Sequence, residues 1–166
     1  MPGGSSSVVV NTGPLLALGA CGQIELLQAL HTQVVVPQPV LEELERGQGR
    51  QDRMGAALLC PPWMQVLPAR QPPSQLLQAH LDEGEASVIA LALELGIRLV
   101  LMDERRGRVV ARTMGLAVTG TVGVLVRAKR EGFLPLLKPC LEAMHEKGVW
   151  LSARLTAFAL NEAGES

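Results

Sequence analysis

Apolar residues follow two patterns along this chain. Short continuous runs, Ser7-Val8-Val9-Val10, Val34-Val35-Val36 and Leu99-Val100-Leu101-Met102, are rich in valine and leucine. Each stops at a polar residue or a proline, as buried strands do. Between them apolar positions recur every three or four residues, as in Leu15 and Leu18 and again in Ile24, Leu27 and Leu30, and predict amphipathic helices. Met64 to Leu67 reads as a short edge strand and Leu116 to Val118 as a further strand. Short apolar strands separated by helices predict an α/β fold, with a mostly parallel central sheet covered on both faces.

Polar and breaker residues place the helix ends. Asn11 or Thr12 can cap the first helix, with Pro14 in its opening turn and a break near Gly19 to Gly22. Pro39 opens a helix over Val40 to Arg46 that Gly47 ends, Gln48 to Arg53 is a loop, and Met54 to Leu59 is helical. Ser74 to Leu81 is helical, Asp82-Glu83-Gly84 is a break, and Glu85 to Leu95 is a strong helix ended by Gly96. Helices follow over Glu104 to Met114, over Val122 to Glu131 with Thr119 and Thr121 as caps, over Leu134 to His145, and from Ser152 to about Asn161. The Gly/Ser-rich start, Met1 to Ser7, is expected to be a disordered arm, and the remaining residues, 8–166, to form a single domain.

Composition narrows the function classes. The net charge is −1, so a nucleic-acid surface, if there is one, is local. Only Trp63, Trp150, Phe133 and Phe158 are aromatic, which argues against an extended base-stacking platform. Cys21, Cys60 and Cys140 are far apart, without a C-x-x-C, and fit a reduced, cytoplasmic protein. No run reaches the roughly 18 apolar residues of a membrane helix. Leu18-Gly19-Ala20-Cys21 resembles a lipoprotein cleavage box, but no Lys or Arg precedes it, which argues against export. His31, His80 and His145 read as separate surface histidines.

The candidate chemistry is acidic. Asp103 closes a strand, and ligands of open α/β sheets bind outside the carboxyl ends of the strands. It could equally cap the following helix. Glu85 shares a helix face with Val88, Ile89 and Ala92, so it sits at the amino end of a buried face. A buried carboxylate needs a partner, either a metal or the backbone N–H groups of its own helix end. Glu43 and Glu45 flank the stripe Val40, Leu41 and Leu44, and either could reach a cleft or lie in solvent. Asn11 ends the first strand, where its amide could serve a hard cation or a turn. Arg105, Arg108 and Arg112 make a helical stripe with Arg106 beside it, and Arg127, Lys129 and Arg130 follow on the next helix. Such a stripe is either a solvated face or a set of phosphate contacts that reads no sequence. No Walker, G-x-S-x-G or H-E-x-x-H motif offers a rival chemistry.

Four segments in order, VVVNTGPLLAL, VPQPVLEEL, LDEGEASVIALALELG and LVLMDERRGRVVARTMGLAVTGTVGVLVRAKREG, resemble the PIN-domain family. The likeness is to the branch known as a domain of unknown function, near the VapC-type toxins. It covers about Val8 to Glu131 and extends to the last helices. It implies a Rossmann-like α/β/α sandwich and a Mg²⁺- or Mn²⁺-dependent endoribonuclease, often the toxin of a toxin–antitoxin pair. RNA, an antitoxin protein and a second copy of the chain are the implied partners. Carried over by position, the acidic cluster falls on Asn11, Glu43, Glu85 and Asp103, with Glu43, Glu85 and Asp103 as metal ligands. Thr12 and Thr119 or Thr121 fall on supporting positions. Arg105, Arg106, Arg108 and Arg112 lie near this site, where a functional stripe would contact nucleic acid. Asn11 departs from the usual Asp, which leaves three carboxylates, and Gly13 replaces a common Ser. Weaker metal binding is expected, because charge count tunes affinity at oxygen sites. A second expectation is therefore a catalytically weak or inactive domain that binds RNA or protein. The third is a purely structural domain whose acids are all caps.

Overall fold

A computed structural model describes residues 6–47 and 53–165. Its centre is one five-stranded sheet: β1 (Ser7–Val10), β2 (Gln33–Pro37), β3 (Gln65–Leu67), β4 (Leu99–Leu101) and β5 (Ala117–Thr119). All pairings are parallel, in the order β3-β2-β1-β4-β5. Val8, Val9, Val10, Val35, Val36, Val100 and Leu101 are wholly buried. Strands buried on both faces cannot alternate polar and apolar residues, which is why these read as continuous runs.

The helices are α1 (Thr12–Ala20), α2 (Leu26–Leu30), α3 (Gln38–Gly47), α4 (Arg53–Leu59), α5 (Gln75–His80), α6 (Glu83–Leu95), α7 (Arg105–Thr113), α8 (Thr121–Arg130), α9 (Lys138–Glu146) and α10 (Ala153–Glu162). They flank the sheet in a three-layer α/β/α arrangement, with α6 lying along β1, β2 and β4. No helix of the described residues is long and apolar enough to cross a membrane. The expected loop over Gln48 to Arg53 falls outside the described residues, except that Arg53 opens α4.

Four expectations change. The break at Asp82-Glu83-Gly84 is only a cap: α6 starts at Glu83, and Asp82 and Glu85 form a reciprocal capping box. The helix expected from Leu134 starts at Lys138, because Pro135 disfavours helical backbone at Leu134 and the chain turns before it can coil. Neither Thr119 nor Thr121 caps α8, whose N-cap is Gly120. His31 is buried rather than on the surface, with its Nδ1 at 3.3 Å from the Ser6 carbonyl. Of the late apolar residues, Leu134 and Leu137 join the core, Leu151 is half-buried, and Leu155 and Phe158 stay exposed.

Candidate functional site

The sheet order fixes where a site can form. β1 and β4 are neighbours, and the chain order reverses between them. The crevice outside the carboxyl ends of two such strands is the usual ligand site of an open parallel sheet. Asn11 follows β1 and its N–H donates to Leu101 O at 2.9 Å; Asp103 leaves the end of β4 two residues later. The residues that sequence singled out at two strand ends therefore stand at one crevice.

Asn11 is 7% exposed and occupies the N-cap position of α1 without making a capping hydrogen bond. Gly84, in the first turn of α6, is the reason its amide has room. A Cβ built on Gly84 would lie 2.7 Å from Glu43 Oε2 and 3.3 Å from Asn11 Oδ1. Both oxygens thus crowd one point beside the amino end of α6. Thr12 Oγ1 donates to Glu43 Oε2 at 2.8 Å, which orients that carboxylate. This geometry separates the two acids of α3: Glu43 turns inward and is half-buried, whereas Glu45 is exposed.

Glu85 is 6% exposed. Its Oε2 accepts from the Asp82 N–H at 3.3 Å and its own N–H donates to Asp82 Oδ1 at 2.8 Å. The capping alternative is therefore realised, but with one oxygen only. Oε1 faces Gly107 of α7, where a Cβ would lie 3.5 Å away. Burial, and then the Asp82 charge, push the Glu85 carboxyl above its ordinary value; Glu104 and Glu43 push the same way, against the Asp82 N–H. Three other acids therefore act on Glu85 here, and among the described residues no cation relieves it. Asp82 and Glu104 were missed as members of this field. The signals were present, in the three-residue spacing of a capping box and the position next to Asp103.

Asp103 is exposed and does not cap its own helix, whose N-cap is Glu104. Instead it reaches the next one. Oδ1 accepts from the Thr121 N–H at 2.8 Å, and Oδ2 from Thr121 Oγ1 at 2.6 Å. Thr121 is 1% exposed, so this carboxylate has a rigid support. Thr119 points elsewhere, its Oγ1 lying 2.7 Å from where a Gly123 Cβ would be.

The arginines divide. Arg105, Arg108 and Arg112 line one groove together with Asp103, Thr119 and Thr121; Arg106 is exposed but outside that lining. Arg108 Nη1 donates to Met102 O at 3.0 Å, beside Asp103. Burial, and then Arg112, disfavour the Arg108 cation, while Asp103 favours it. Among the described residues no carboxylate lies within ion-pair reach of these three arginines. On α8, by contrast, the cations are engaged: Arg127 with Glu131, Lys129 with Glu165 and Arg130 with Glu162.

Among the described residues no three His, Cys, Asp or Glu side chains stand close enough together to hold a metal ion by themselves. Each acid is instead steadied by a neighbour, Glu43 by Thr12, Glu85 by Asp82 and Asp103 by Thr121. A hard cation such as Mg²⁺ keeps several waters and commonly takes only one or two carboxylates, so this oxygen-only donor set suits a hydrated ion rather than a closed cage.

No curated protein sequence matches the chain significantly. A sequence model of a family described as a PIN domain matches residues 7–165. The match takes in β1, the acidic crevice at the switch point and the last helix alike, so the chain belongs to the PIN-domain family.

Proposed function

We propose that the crevice is the active site of an endoribonuclease dependent on Mg²⁺ or Mn²⁺, and that the chain is the toxin of a toxin–antitoxin pair. The observation that carries the nuclease reading is a buried Glu85 carboxyl with Glu43, Asp82 and Glu104 acting on it, and Asn11 and Asp103 at the adjoining strand ends. Concentrated negative charge without a cation is costly unless a cation is bound.

Glu43, Glu85 and Asp103 would hold the hydrated ion, one or two of them directly and the rest through its waters, and Asn11 would add a neutral oxygen. The bound ion would neutralise charge on the scissile phosphodiester and acidify a water. The chain's own residues do the rest. Glu85 Oε1, the oxygen not engaged with Asp82, would accept a proton from attacking water. Thr12 and Thr121 fix the orientation of Glu43 and Asp103. Arg105, Arg108 and Arg112 bind the flanking phosphates.

The test is cleavage of a generic single-stranded RNA in Mn²⁺. The wild type is expected to cut, Glu85→Gln to lose roughly 10²- to 10⁴-fold in rate, and Asp103→Asn to be inert. A wild type that shows no ion binding by calorimetry sinks the reading.

Asn11 favours a second reading, a PIN domain that binds RNA or protein and cuts little. It replaces a charged ligand by an amide at a position in contact with the acidic field. If only Asn11→Asp cleaves, this reading replaces the first.

A further inference from the structure

The arginine groove has an apolar wall. It encloses about 940 Å³, and Trp150 and Phe158 line it together with Arg105, Arg108, Arg112 and Asp103. The chain has four Trp and Phe residues in all, and two of them meet here. Trp150 is 81% exposed and Phe158 56%. Large apolar groups left in water forgo the free energy that burial would give, so their grouping at one polar groove marks a binding surface. The Trp150 ring stands 6.4 Å from that of His145 at 45°, a tilted contact that steadies the indole without covering it.

Charge selects the occupant. Trp150 also borders a second groove, where Glu142 and Glu146 outnumber Lys138 and oppose a polyanion. On the Asp103 side Arg105, Arg108 and Arg112, which have no ion-pair partner among the described residues, outnumber Asp103 and Glu104 and favour one. The geometry points to single-stranded RNA in the Asp103 groove: Trp150 is a platform on which one base stacks, Phe158 extends its apolar edge, and Arg105, Arg108 and Arg112 hold the phosphates. Stacking on an aromatic face tolerates any base, and a duplex hides the faces it needs. Trp150 therefore selects strandedness rather than sequence. This rests on the RNA reading of the same crevice and adds to it a contact outside the acidic cluster.

The experiment is direct binding in EDTA, with RNA integrity checked on a gel. Trp63→Phe leaves Trp150 as the only indole, so its fluorescence reports the groove alone. The probes are a single-stranded RNA of about ten nucleotides, an abasic strand of equal charge, and a duplex. The single strand is expected to quench Trp150 and to bind about tenfold more weakly to Trp150→Ala, while Trp150→Phe keeps most of the affinity. The wild type should bind the abasic strand as weakly as Trp150→Ala binds the intact one. Arg112→Ala should lower the salt slope by about 0.7, which Trp150→Ala leaves unchanged. Binding of the single strand with no quench and no loss in Trp150→Ala overturns the platform and leaves the RNA reading standing. No binding of any RNA overturns both. Trp150 emission that shifts with protein concentration, alongside dimers in sedimentation, assigns the groove to a second copy and overturns the proposal.

Discussion

Asn11 sits where a helix cap belongs and does not cap. Its amide oxygen shares a corner with Glu43 Oε2, and that corner exists because residue 84 has no side chain. Two effects oppose each other in Gly84→Ala. Alanine favours a helix by about 1 kcal/mol over glycine, while the new methyl meets Glu43 Oε2 at 2.7 Å. The clash is with the tip of a flexible side chain, which relieves it by swinging away. Stability by urea unfolding should therefore move by less than about 1 kcal/mol in either direction. Cleavage should fall far more, since a misplacement of about 1 Å at a reacting centre can cost on the order of 10²-fold. A loss of stability as large as the loss of rate would show that Gly84 serves packing and not the site.

At the scale of elements, α2 depends on two distant groups at its carboxyl end. Arg127 of α8 donates to Leu30 O at 3.1 Å, and His31 contacts the Ser6 carbonyl just ahead of β1. Burial, and then the Arg127 charge, lower the affinity of His31 for a proton from its ordinary 6.5. The folded state thus prefers neutral imidazole. Its contribution to stability is present above the unfolded value and is lost as pH falls through the folded one. The wild type should lose melting temperature as pH falls below the ordinary 6.5, and His31→Gln should flatten that decline. Parallel curves for the two proteins would assign the decline to other groups. This histidine also marks a limit of sequence: it follows an apolar stripe and reads as surface, because the segment that covers it is far away in the chain. The strands were legible from their valine runs, since burial on both faces leaves no room for polar residues. The acids at strand and helix ends were legible for the same topological reason. Gly84 was misread as a break because its role depends on Glu43, forty-one positions earlier. How near the acids stand to one another was not legible either, because side-chain partners such as Thr12 and Thr121 set it.

Over the whole molecule, the wall that carries Trp150 and Phe158 must be held against the sheet, and one carboxylate near the end of the chain does much of this. Glu165 accepts from the N–H groups of Leu137 and Lys138 at 2.8 and 3.1 Å, at the start of α9. It also takes the Lys129 ammonium of α8 at 2.7 Å. The segment after α10 is thereby tied to two other helices, with an anion at a helix amino end where the dipole favours it. The Leu137 N–H, and then Lys129, hold the Glu165 carboxyl down to about 2 from an ordinary 4.5. A depressed carboxyl contributes stability that is fully present above the unfolded value and lost as pH falls through the folded one. Glu165→Gln should therefore melt below the wild type at neutral pH, and the gap should close between pH 4.5 and about 2. The same variant should bind the single-stranded probe more weakly, because Glu165 does not line the groove but braces the helices that bear its aromatic wall. A melting gap that does not narrow in acid would mean that the loss comes from shape and not from charge. An unchanged affinity would mean that the wall stands without this tie.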